Sequence, residues 1–415
     1  MKKQFLKSCV LLSATFLLTG MFTSCVYDKD AEEPVPTGDG SLVININSTP
    51  VGSVTRSTDI SSTTTVQADE KKIQSMAVAI FREGTMVYYN YLKSLDKSAA
   101  GTGFNTTVDN IAATPNQFAD GDAVVIVANV PEAVFSSLKT PGTTTLTAFK
   151  AATVSIDQAL DAEATPNNAV ESNNLPMYGS ATVTTTDGKL KANVTVRHMV
   201  SKVTLEQLTV DGLATNCSFK PEQVFLFSVA DALKFTFTDE TDMTTYQAPT
   251  VSSWYNTGDD GQTNFKQYLS TKTYSDTELE ELDNTNTTWS KSVVLYTMPN
   301  TAYGTDAANT DTRLVIKGTW TDADNTSNSG TCYYTFRLLN VVAGQAQAAL
   351  DQRKIYPNRN YRLRVILKRK GATTVEGGVD VNANTAVTIQ NVTDWTTGEQ
   401  TTEFGSDGSA NTTTE

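Results

Sequence analysis

The residues able to do acid–base or nucleophilic chemistry are few and scattered in this sequence. It contains a single histidine, His198, which follows Val194 and Val196 at alternate positions of a strand-like run. A Ser-His-Asp triad would have to use this histidine, and no GxSxG elbow accompanies it. We therefore interpret His198 as a structural side chain on the apolar side of a strand.

The acidic residues form no pattern typical of a catalytic or metal site. Two adjacent carboxylate pairs, Asp259-Asp260 and Glu280-Glu281, lie in polar loops, where solvated charge is the simpler interpretation. Asp109, Asp120 and Asp122 are calcium-ligand types, but the loop pattern with its terminal glutamate is missing. No CxxC or HExxH spacing occurs. We predict no enzymatic activity, no metal site and no cofactor.

Glycines and basic residues near the C-terminus do not indicate a ligand site either. Gly371, Gly377 and Gly378 lack phosphate-loop spacing. A basic run on or beside a strand is interpreted as an exposed face that offsets the acidic bulk, with a ligand patch as the alternative. The net charge of -13 argues against a nucleic-acid partner. The basic run comprises Arg359, Arg362, Arg364, Lys368, Arg369 and Lys370.

Short strands separated by polar turns must position whatever function the chain has. Its 415 residues suffice for about two domains, and frequent threonine, asparagine and serine favour strands and turns over long helices. The pattern predicts sandwich-like, all-β domains. Helical segments are predicted at Pro131–Leu138 and Thr145–Leu160. The predicted strands are Lys72–Phe81, Thr85–Tyr91 (joined to the preceding strand by a turn at Glu83-Gly84), Ala123–Asn129, Ala181–Thr185, Lys191–Val210, Val224–Val229, Leu233–Phe237, Ser292–Met298, Arg313–Trp320, Cys332–Leu339 and Tyr361–Lys368.

The mid-chain run Lys191–Val210 changes the phase of its apolar alternation at Ser201-Lys202. A phase slip of this kind indicates a bulge or a bend between two sheets. We place the domain boundary just before this run.

The N-terminal segment resembles a secretion signal. Met1–Ser24 has an early lysine cluster and an interrupted apolar core that is too short for a good membrane span. A serine directly before Cys25 resembles the lipobox of bacterial lipoproteins, in which the cysteine is lipidated, although Phe22 stands where leucine is usual; plain signal cleavage is the alternative. Residues 25–40 are interpreted as an acidic tether.

A removable strand is predicted at residues 41–56. Leu42, Ile44 and Ile46 alternate with polar or solvent-facing positions, as in a half-buried strand. A single arginine, Arg56, follows in a polar stretch typical of a protease-sensitive segment. Cutting after Arg56 would remove the strand and leave a groove with unpaired backbone groups.

The C-terminus carries a second long alternating run, from Val379 to Ile389, before Trp395 and a soluble tail over Thr396–Glu415. A long edge strand aggregates unless it has a partner. This run therefore either pairs inside its own sheet or extends to complete another molecule. Cys217 and Cys332, the cysteines left after the signal and Cys25, could form a disulfide or remain as two buried thiols.

Taken together, these features resemble the type V fimbrillins, the pilus subunits of Bacteroides-type bacteria. The resemblance covers nearly the whole mature chain through diffuse strand patterns. It is carried by the signal ending at Cys25, Leu42–Ile46 before Thr55-Arg56, Lys72–Phe81, Arg197–Leu205, Tyr296–Asn300 and the stretch from Tyr356 to Trp395.

This resemblance implies two β-sandwich-like (transthyretin-like) domains with a few short helices, at 57–190 and 191–415. It implies a lipidated precursor exported to the outer membrane and a cut by an arginine-specific protease between Arg56 and Ser57. A neighbouring subunit's C-terminal strand, within 379–395, would then fill the emptied groove. The donor residues would include Val379, Val381, Val387, Ile389 and Trp395.

The chain is accordingly expected to be a stalk subunit of a cell-surface fimbria that supports adhesion. Its partners would be copies of itself, tip and anchor subunits, and a host or bacterial surface ligand of unknown identity. The alternatives are a lipid-anchored tip or anchor subunit, or a surface glycan-binding lipoprotein. Exposed tryptophans would favour the last of these, the four being Trp254, Trp289, Trp320 and Trp395.

Overall fold

Short β-strands dominate the structure, a computed structural model with few and short helices. Among the residues that the structure describes, the α-helices are α1 (Leu146–Lys150) and α2 (Ile156–Leu160), and 3₁₀ turns cover Glu132–Phe135, Met243–Thr245 and Thr326–Asn328. The structure describes residues 42–48, 73–93, 105–108, 117–160, 175–251, 253–255, 271–301, 311–338, 354–375, 385–394, 401–404 and 410–413.

The strands fall into two groups along the chain. The first group comprises β1 (Leu42–Ser48), β2 (Met76–Arg82), β3 (Thr85–Leu92), β4 (Asn105–Val108), β5 (Ala123–Ala128), β6 (Thr153–Ser155), β7 (Met177–Thr182), β8 (Thr184–Thr186) and β9 (Lys189–His198). The second comprises β10 (Ser201–Val210), β11 (Cys217–Phe227), β12 (Val229–Ala230), β13 (Ala232–Lys234), β14 (Trp254–Tyr255), β15 (Thr271–Thr273), β16 (Val293–Thr297), β17 (Arg313–Asp322), β18 (Gly330–Arg337), β19 (Arg359–Leu367), β20 (Thr385–Asp394), β21 (Thr401–Phe404) and β22 (Ala410–Thr413).

All strands of the first group except β6 build one eight-stranded sheet in the order β3-β2-β5-β7-β9-β1-β4, with β8 paired to β9. The predicted hairpin of β2 and β3 is confirmed. Its turn residues, Glu83 and Gly84, have φ values of 48° and 79°. Positive φ at both central positions is the geometry that matches the twist of a two-residue hairpin.

Strand β5 has apolar residues on both faces, as its continuous apolar sequence predicts. Val125 and Val127 belong to the core shared with the second half of the chain. Val124 and Ile126 belong to a separate core on the opposite face of the sheet. The sheet is therefore covered on both sides, which explains why β5 does not alternate.

The second group contains two four-stranded sheets, in the orders β16-β10-β19-β20 and β15-β11-β17-β18, and its remaining strands form the two-stranded pairs β12-β14, β13-β6 and β21-β22. Alternate residues of β10 and β19, such as Leu205 and Leu363, share one buried core with Leu226 of β11 and Leu314 of β17. Sheets that bury alternate residues in one shared core have the layering of a β-sandwich. The mainly β, sandwich-like fold class predicted from the sequence is confirmed.

The phase slip predicted near Ser201 is a bend between sheets. Strand β9 ends at His198 in the first sheet, and β10 begins at Ser201 in another. Met199 and Val200, both buried, form the bend. The boundary predicted just before Lys191 therefore falls inside β9, which begins at Lys189.

The single long helix predicted over Thr145–Leu160 is wrong in its middle. Thr145 does begin a helix, since its side chain accepts a hydrogen bond from the Ala148 N–H at 3.2 Å. However, β6 interrupts the segment and pairs with β13, placing Val154 opposite Leu233. Threonine and valine at this point favour a strand once a partner strand is present.

The possible disulfide between Cys217 and Cys332 does not form, and both thiols are free. Cys217 lies opposite Asp322 on one side of β17, and Cys332 opposite Gly318 on the other. Four residues along a strand span about 13 Å, and two strand spacings add about 9–10 Å across the sheet. A disulfide needs Cα atoms within about 7 Å, so these cysteines cannot meet.

Candidate functional site: the first strand and its slot

Strand β1 is an interior strand of the first sheet. It runs parallel to β9, from Leu42 opposite Leu190 to Ser48 opposite Val196. On its other side it runs antiparallel to β4, from Leu42 opposite Val108 to Asn45 opposite Asn105. Residues from distant parts of the sequence therefore form the two walls of one slot.

The alternation predicted for β1 is confirmed in its burial. Leu42, Ile44 and Ile46 are at most 1% exposed. They pack in one core with Val194 of β9 and Ile126 of β5. Full burial of an aliphatic side chain contributes roughly 1.5–3 kcal/mol, so an empty slot would expose three such sites together with the backbone groups of both walls.

The second wall, β4, is the part of this site that the sequence did not reveal. Its sequence, NTTV, has no apolar alternation from which a strand could be predicted. Within the described part of the chain, β4 is at the end of the sheet order, next to β1. Asparagine and threonine form a strand here because β1 supplies the backbone partners.

The C-terminal run folds onto its own subunit in this structure. Strand β20 pairs antiparallel with β19, with Val387 opposite Val365 and Ile389 opposite Leu363. It stands at the end of its sheet order, so it is paired on one side by β19. Of the two outcomes expected for this run, pairing inside its own sheet is the one present here.

Several residues of the proposed processing and exchange fall outside the described part of the chain. They are Cys25, Arg56, Ser57, Val379, Val381 and Trp395. Within the tail Thr396–Glu415, β21 and β22 pair as an antiparallel hairpin. Strand β21 lies near β1 and β4.

The residues considered for catalysis or metal binding are buried or hydrogen-bonded to neighbouring residues wherever the structure describes them. His198 is 4% exposed at the end of β9. Asp122 is buried and accepts two bonds from Arg82, from Nε at 2.9 Å and from Nη2 at 2.8 Å. The hydrogen bond with Asp122 raises the pKa of Arg82. Asp120 accepts the Thr185 N–H at 2.7 Å. No group of three or more metal-ligand side chains lies together within the described ranges.

The described members of the carboxylate pairs and of the basic run are largely bound by neighbouring groups, whereas Asp259 and Asp260 lie outside the described residues. Glu280 accepts the Ser290 N–H at 3.0 Å. Glu206 of β10 is 4% exposed and pairs with both Arg362 and Arg364 of β19, the latter at 3.2 Å. Lys370 donates to the Asn328 carbonyl at 2.7 Å. Arg362, Arg364 and Lys370 of the basic run are thus bound to groups of the sandwich itself.

Two of the three tryptophans in the described part of the chain are too deeply buried to form a binding platform. Trp289 and Trp320 are each 3% exposed and belong to the main core. Trp254 is half-buried against the same core. Stacking on a sugar requires an exposed ring face, which the buried indoles of Trp289 and Trp320 do not offer.

No helix among the described residues has the length and apolar character needed to cross a membrane. No curated protein matches the sequence.

Known structures with a similar fold come from species of Bacteroides, Parabacteroides and Porphyromonas. A proposed cell adhesion protein from Bacteroides eggerthii superposes with a TM-score of 0.53 at 18% identity, over 87% of this chain and 97% of its own. One from Parabacteroides distasonis gives 0.55 at 17% identity, over 85% and 97%. The fimbrilin FimA of Porphyromonas gingivalis gives 0.51 at 14% identity, over 87% and 98%. At these identities the likeness establishes the fold.

One family model matches the first part of the sequence. Residues 41–207 match the family model described as "Major fimbrial subunit protein (FimA)". The matched segment begins at β1 and extends past the bend into β10, so it includes both β1 and the β9 wall of its slot. The resemblance to the fimbrillins predicted from the sequence is thereby confirmed over residues 41–207, which are less than half of the chain.

Proposed function

We propose that this chain is a stalk subunit of a cell-surface fimbria, assembled by exchange of β1 for a strand of the neighbouring subunit. The observation that carries the proposal is the interior position of β1, with seven residues paired to β9 and part of them paired to β4. Removal of such a strand opens a two-sided slot, and a peptide strand that enters it recovers both sets of backbone bonds.

The precursor is proposed to be lipidated at Cys25 and held at the outer membrane. An arginine-specific protease then cuts between Arg56 and Ser57, eight residues beyond the end of β1 at Ser48. Before the cut, β1 is tethered to its own slot and competes at high effective concentration against any incoming strand. After the cut, β1 is a separate peptide and that advantage is lost.

The incoming strand is proposed to lie within residues 379–395 of the neighbour, with Val387 and Ile389 among its apolar positions. In its own subunit β20 bonds along one side, to β19. In the slot a strand bonds to β9 and to β4, and each additional backbone hydrogen bond contributes about 0.5–1.5 kcal/mol net. Transfer from a sheet edge to a sheet interior therefore favours the assembled state.

Repetition of this contact builds a filament. The donor strand and the slot are different surfaces of one chain, so each subunit can give to one neighbour and receive from another. A head-to-tail contact that does not close on itself produces an open polymer. Other fimbrial subunits are the partners expected of this family, and a surface ligand at the end of the filament would provide adhesion.

Protease treatment of the purified precursor tests the cleavage step. Wild-type protein should start at Ser57 after treatment and form filaments visible by electron microscopy and size-exclusion chromatography. Arg56→Ala should remain uncut and monomeric. Arg56→Lys is the matched control, because an arginine-specific protease leaves it intact while a protease that accepts lysine restores assembly. Filaments from uncut Arg56→Ala at the wild-type rate would contradict the proposal.

Truncation tests the donor separately. A chain ending before Val379 should be cut normally after Arg56 and keep a cooperative unfolding transition, yet remain monomeric. Fibre formation by the truncated protein would place the donor elsewhere in the chain.

A further inference from the structure

A short segment after β19 crosses from one sheet of the sandwich to the other. Strand β19 ends at Leu367, and residues 369–375, here called the strap, then bond to β18 of the facing sheet. The Ala372 N–H donates to the Tyr333 carbonyl at 3.0 Å, and the Tyr333 N–H donates to the Ala372 carbonyl at 2.8 Å. The strap therefore covers the edge of β18 that faces away from β17.

Side-chain bonds fix both ends of the strap. At its start, the Tyr334 hydroxyl donates to the Arg369 carbonyl at 2.9 Å, and Lys370 Nζ donates to the Asn328 carbonyl at 2.7 Å. At its end, the Thr335 hydroxyl donates to the Val375 carbonyl at 2.9 Å in a buried environment. Backbone groups along the strap are thus bound at intervals over its whole length.

The last residue of the strap, Val375, packs in an apolar cluster. Val375 is 3% exposed and packs with Phe225, Phe227, Val315 and Tyr333 in a small cluster apart from the two main cores. These partners alternate with the residues of β11 and β17 that face the main core, so the cluster lies on the other face of that sheet. Without Val375, four apolar side chains would lose part of their cover.

The path of the strap requires glycine at one position. A Cβ atom added to Gly371 would lie 2.5 Å from the Tyr333 carbonyl oxygen. Contacts below 3.0 Å force the backbone apart, so Gly371 permits the close approach that the Ala372–Tyr333 bonds need. Glycine at this position therefore allows the strap to pack directly against β18, which a free linker would not require.

We propose that the strap stays on its own subunit during strand exchange. The segment given to the neighbour, here called the arm, then begins after Val375 and includes β20. This inference rests on the proposed exchange mechanism. The slot left by β1 belongs to the first sheet, whereas Phe225 and Phe227, which pack against Val375, belong to a different sheet. The arm can leave β19 without disturbing the strap, since the two are bound to different sheets.

A fixed origin at Val375 limits how far the arm can reach. An extended chain spans at most about 3.3–3.6 Å per residue. A donor that begins at Val379 must therefore enter the neighbour's slot within about 13–14 Å of Val375, and one that begins at Thr385 within about 33–36 Å. The strap thus restricts the packing of successive subunits along the filament.

Two engineered disulfides distinguish the strap from the arm. In a Cys217→Ala/Cys332→Ala background, Tyr333→Cys with Ala372→Cys would lock the strap, and Ile366→Cys with Ala386→Cys would lock the arm; each pair is directly opposed in the structure. Both oxidised proteins are treated with protease and followed by light scattering, with reductant as the control. Disulfide formation is verified by mass, and folding by the unfolding transition.

We expect the strap-locked protein to assemble at a rate within about twofold of the background protein, the usual scatter for independent sites. The arm-locked protein should assemble only after reductant is added. If the strap lock blocks assembly reversibly, the strap must leave and the inference is wrong. If instead the arm lock has no effect, the proposed donor is wrong, which is a distinguishable failure.

Hydrogen exchange on the wild-type protein gives a test without substitutions. The amide of Ala372 should exchange slowly in both the monomer and the filament, because its bond to Tyr333 persists. Loss of this protection in filaments would overturn the inference even if the disulfide variants fail to fold.

Discussion

Lys150 and Glu240 form an ion pair between residues 90 positions apart in the sequence. Lys150 ends α1 in the first half of the chain, and Glu240 follows β13 in the second half. Glu240 also accepts hydrogen bonds from the hydroxyl groups of Tyr178, at 2.8 Å, and Ser180. Both carboxylate oxygens are therefore used, and the pair joins segments on either side of the bend at Met199.

Tyr178 adds apolar contact at the same point. Its ring stacks on Phe235 with centroids 5.5 Å apart, and Lys150 Nζ lies 5.8 Å from the ring centroid. Burial, and next the charge of Glu240, raise the pKa of Tyr178 well above its usual value. The hydroxyl therefore remains protonated and able to donate to Glu240 throughout the ordinary pH range.

Replacement of Glu240 by alanine should destabilise the protein by about 1–3 kcal/mol, because the partly buried groups that it satisfies lose their acceptor. Chemical denaturation at neutral pH measures the change. Asp211→Ala is the matched control: Asp211 pairs with Lys368 at 3.6 Å on the surface, where such a pair contributes about 0–1 kcal/mol. Equal losses for the two variants would show that Glu240 has no special role.

Gly179 of β7 should not tolerate a larger side chain. A Cβ atom there would lie 2.3 Å from the Thr195 carbonyl oxygen of β9. Gly179→Ala must therefore push β7 and β9 apart, and overpacking of this kind costs typically 1–3 kcal/mol. The melting temperature should fall accordingly, whereas Thr182→Ala, at an exposed position of the same strand, should change it little. An unchanged melting temperature in Gly179→Ala would contradict the close approach of these strands.

The sequence predicts the elements whose pattern is local, and it misses those that depend on a partner. The alternation of Leu42, Ile44 and Ile46 and the Glu83-Gly84 turn are sufficient in themselves to indicate β1 and the first hairpin. In contrast, β4 has no apolar alternation, and β6 lies inside Thr145–Leu160, a segment whose sequence predicts a helix. Both become strands because a segment far away in sequence supplies their backbone bonds.

In the candidate site, too, the sequence predicts the local features and misses those that depend on a distant partner. The buried face of β1 follows from its own residues, but its interior position between β9 and β4 depends on the order of strands in the sheet. The strap is a further example, since Gly371 looks like part of an ordinary linker until its contact with Tyr333 is known. Sequence periodicity does not report which edges of a sheet are covered.

The two thiols should differ in reactivity. Cys332 is fully buried and Cys217 is half-buried, and burial raises the pKa of both thiols. Because the thiolate is the reactive form, alkylation at neutral pH should be slow for Cys217 and slower still for Cys332. Mass spectrometry of the natively alkylated protein should show Cys217 modified first, and Cys332 modified only after unfolding. Absence of labelling at either site in the unfolded, non-reduced protein would contradict the free thiols.

Asp322 should make stability depend on acid pH. Its carboxylate accepts hydrogen bonds from the side chains of Asn328 and Asn216, at 3.0 and 3.1 Å, and from the Asn325 N–H at 3.0 Å. The bond from Asn328 is the main cause that lowers the pKa of Asp322. Since the folded-state pKa lies below the unfolded value of about 3.9, the folded state binds fewer protons. The stabilisation is therefore complete well above pH 3.9 and is lost as the pH falls through the folded-state pKa.

Asp322→Asn should accordingly be less stable than the wild type at pH 7, and the difference should shrink as the pH is lowered below about 3.9. Urea denaturation at a series of pH values measures it. Asp324→Asn, at an exposed position of the same loop, controls for the loss of one negative charge from a chain that already carries a net charge of -13. Because the control removes charge without removing these three bonds, a pH dependence confined to Asp322→Asn assigns the effect to the bonded carboxylate. An identical pH dependence in the two variants would instead assign it to the overall charge.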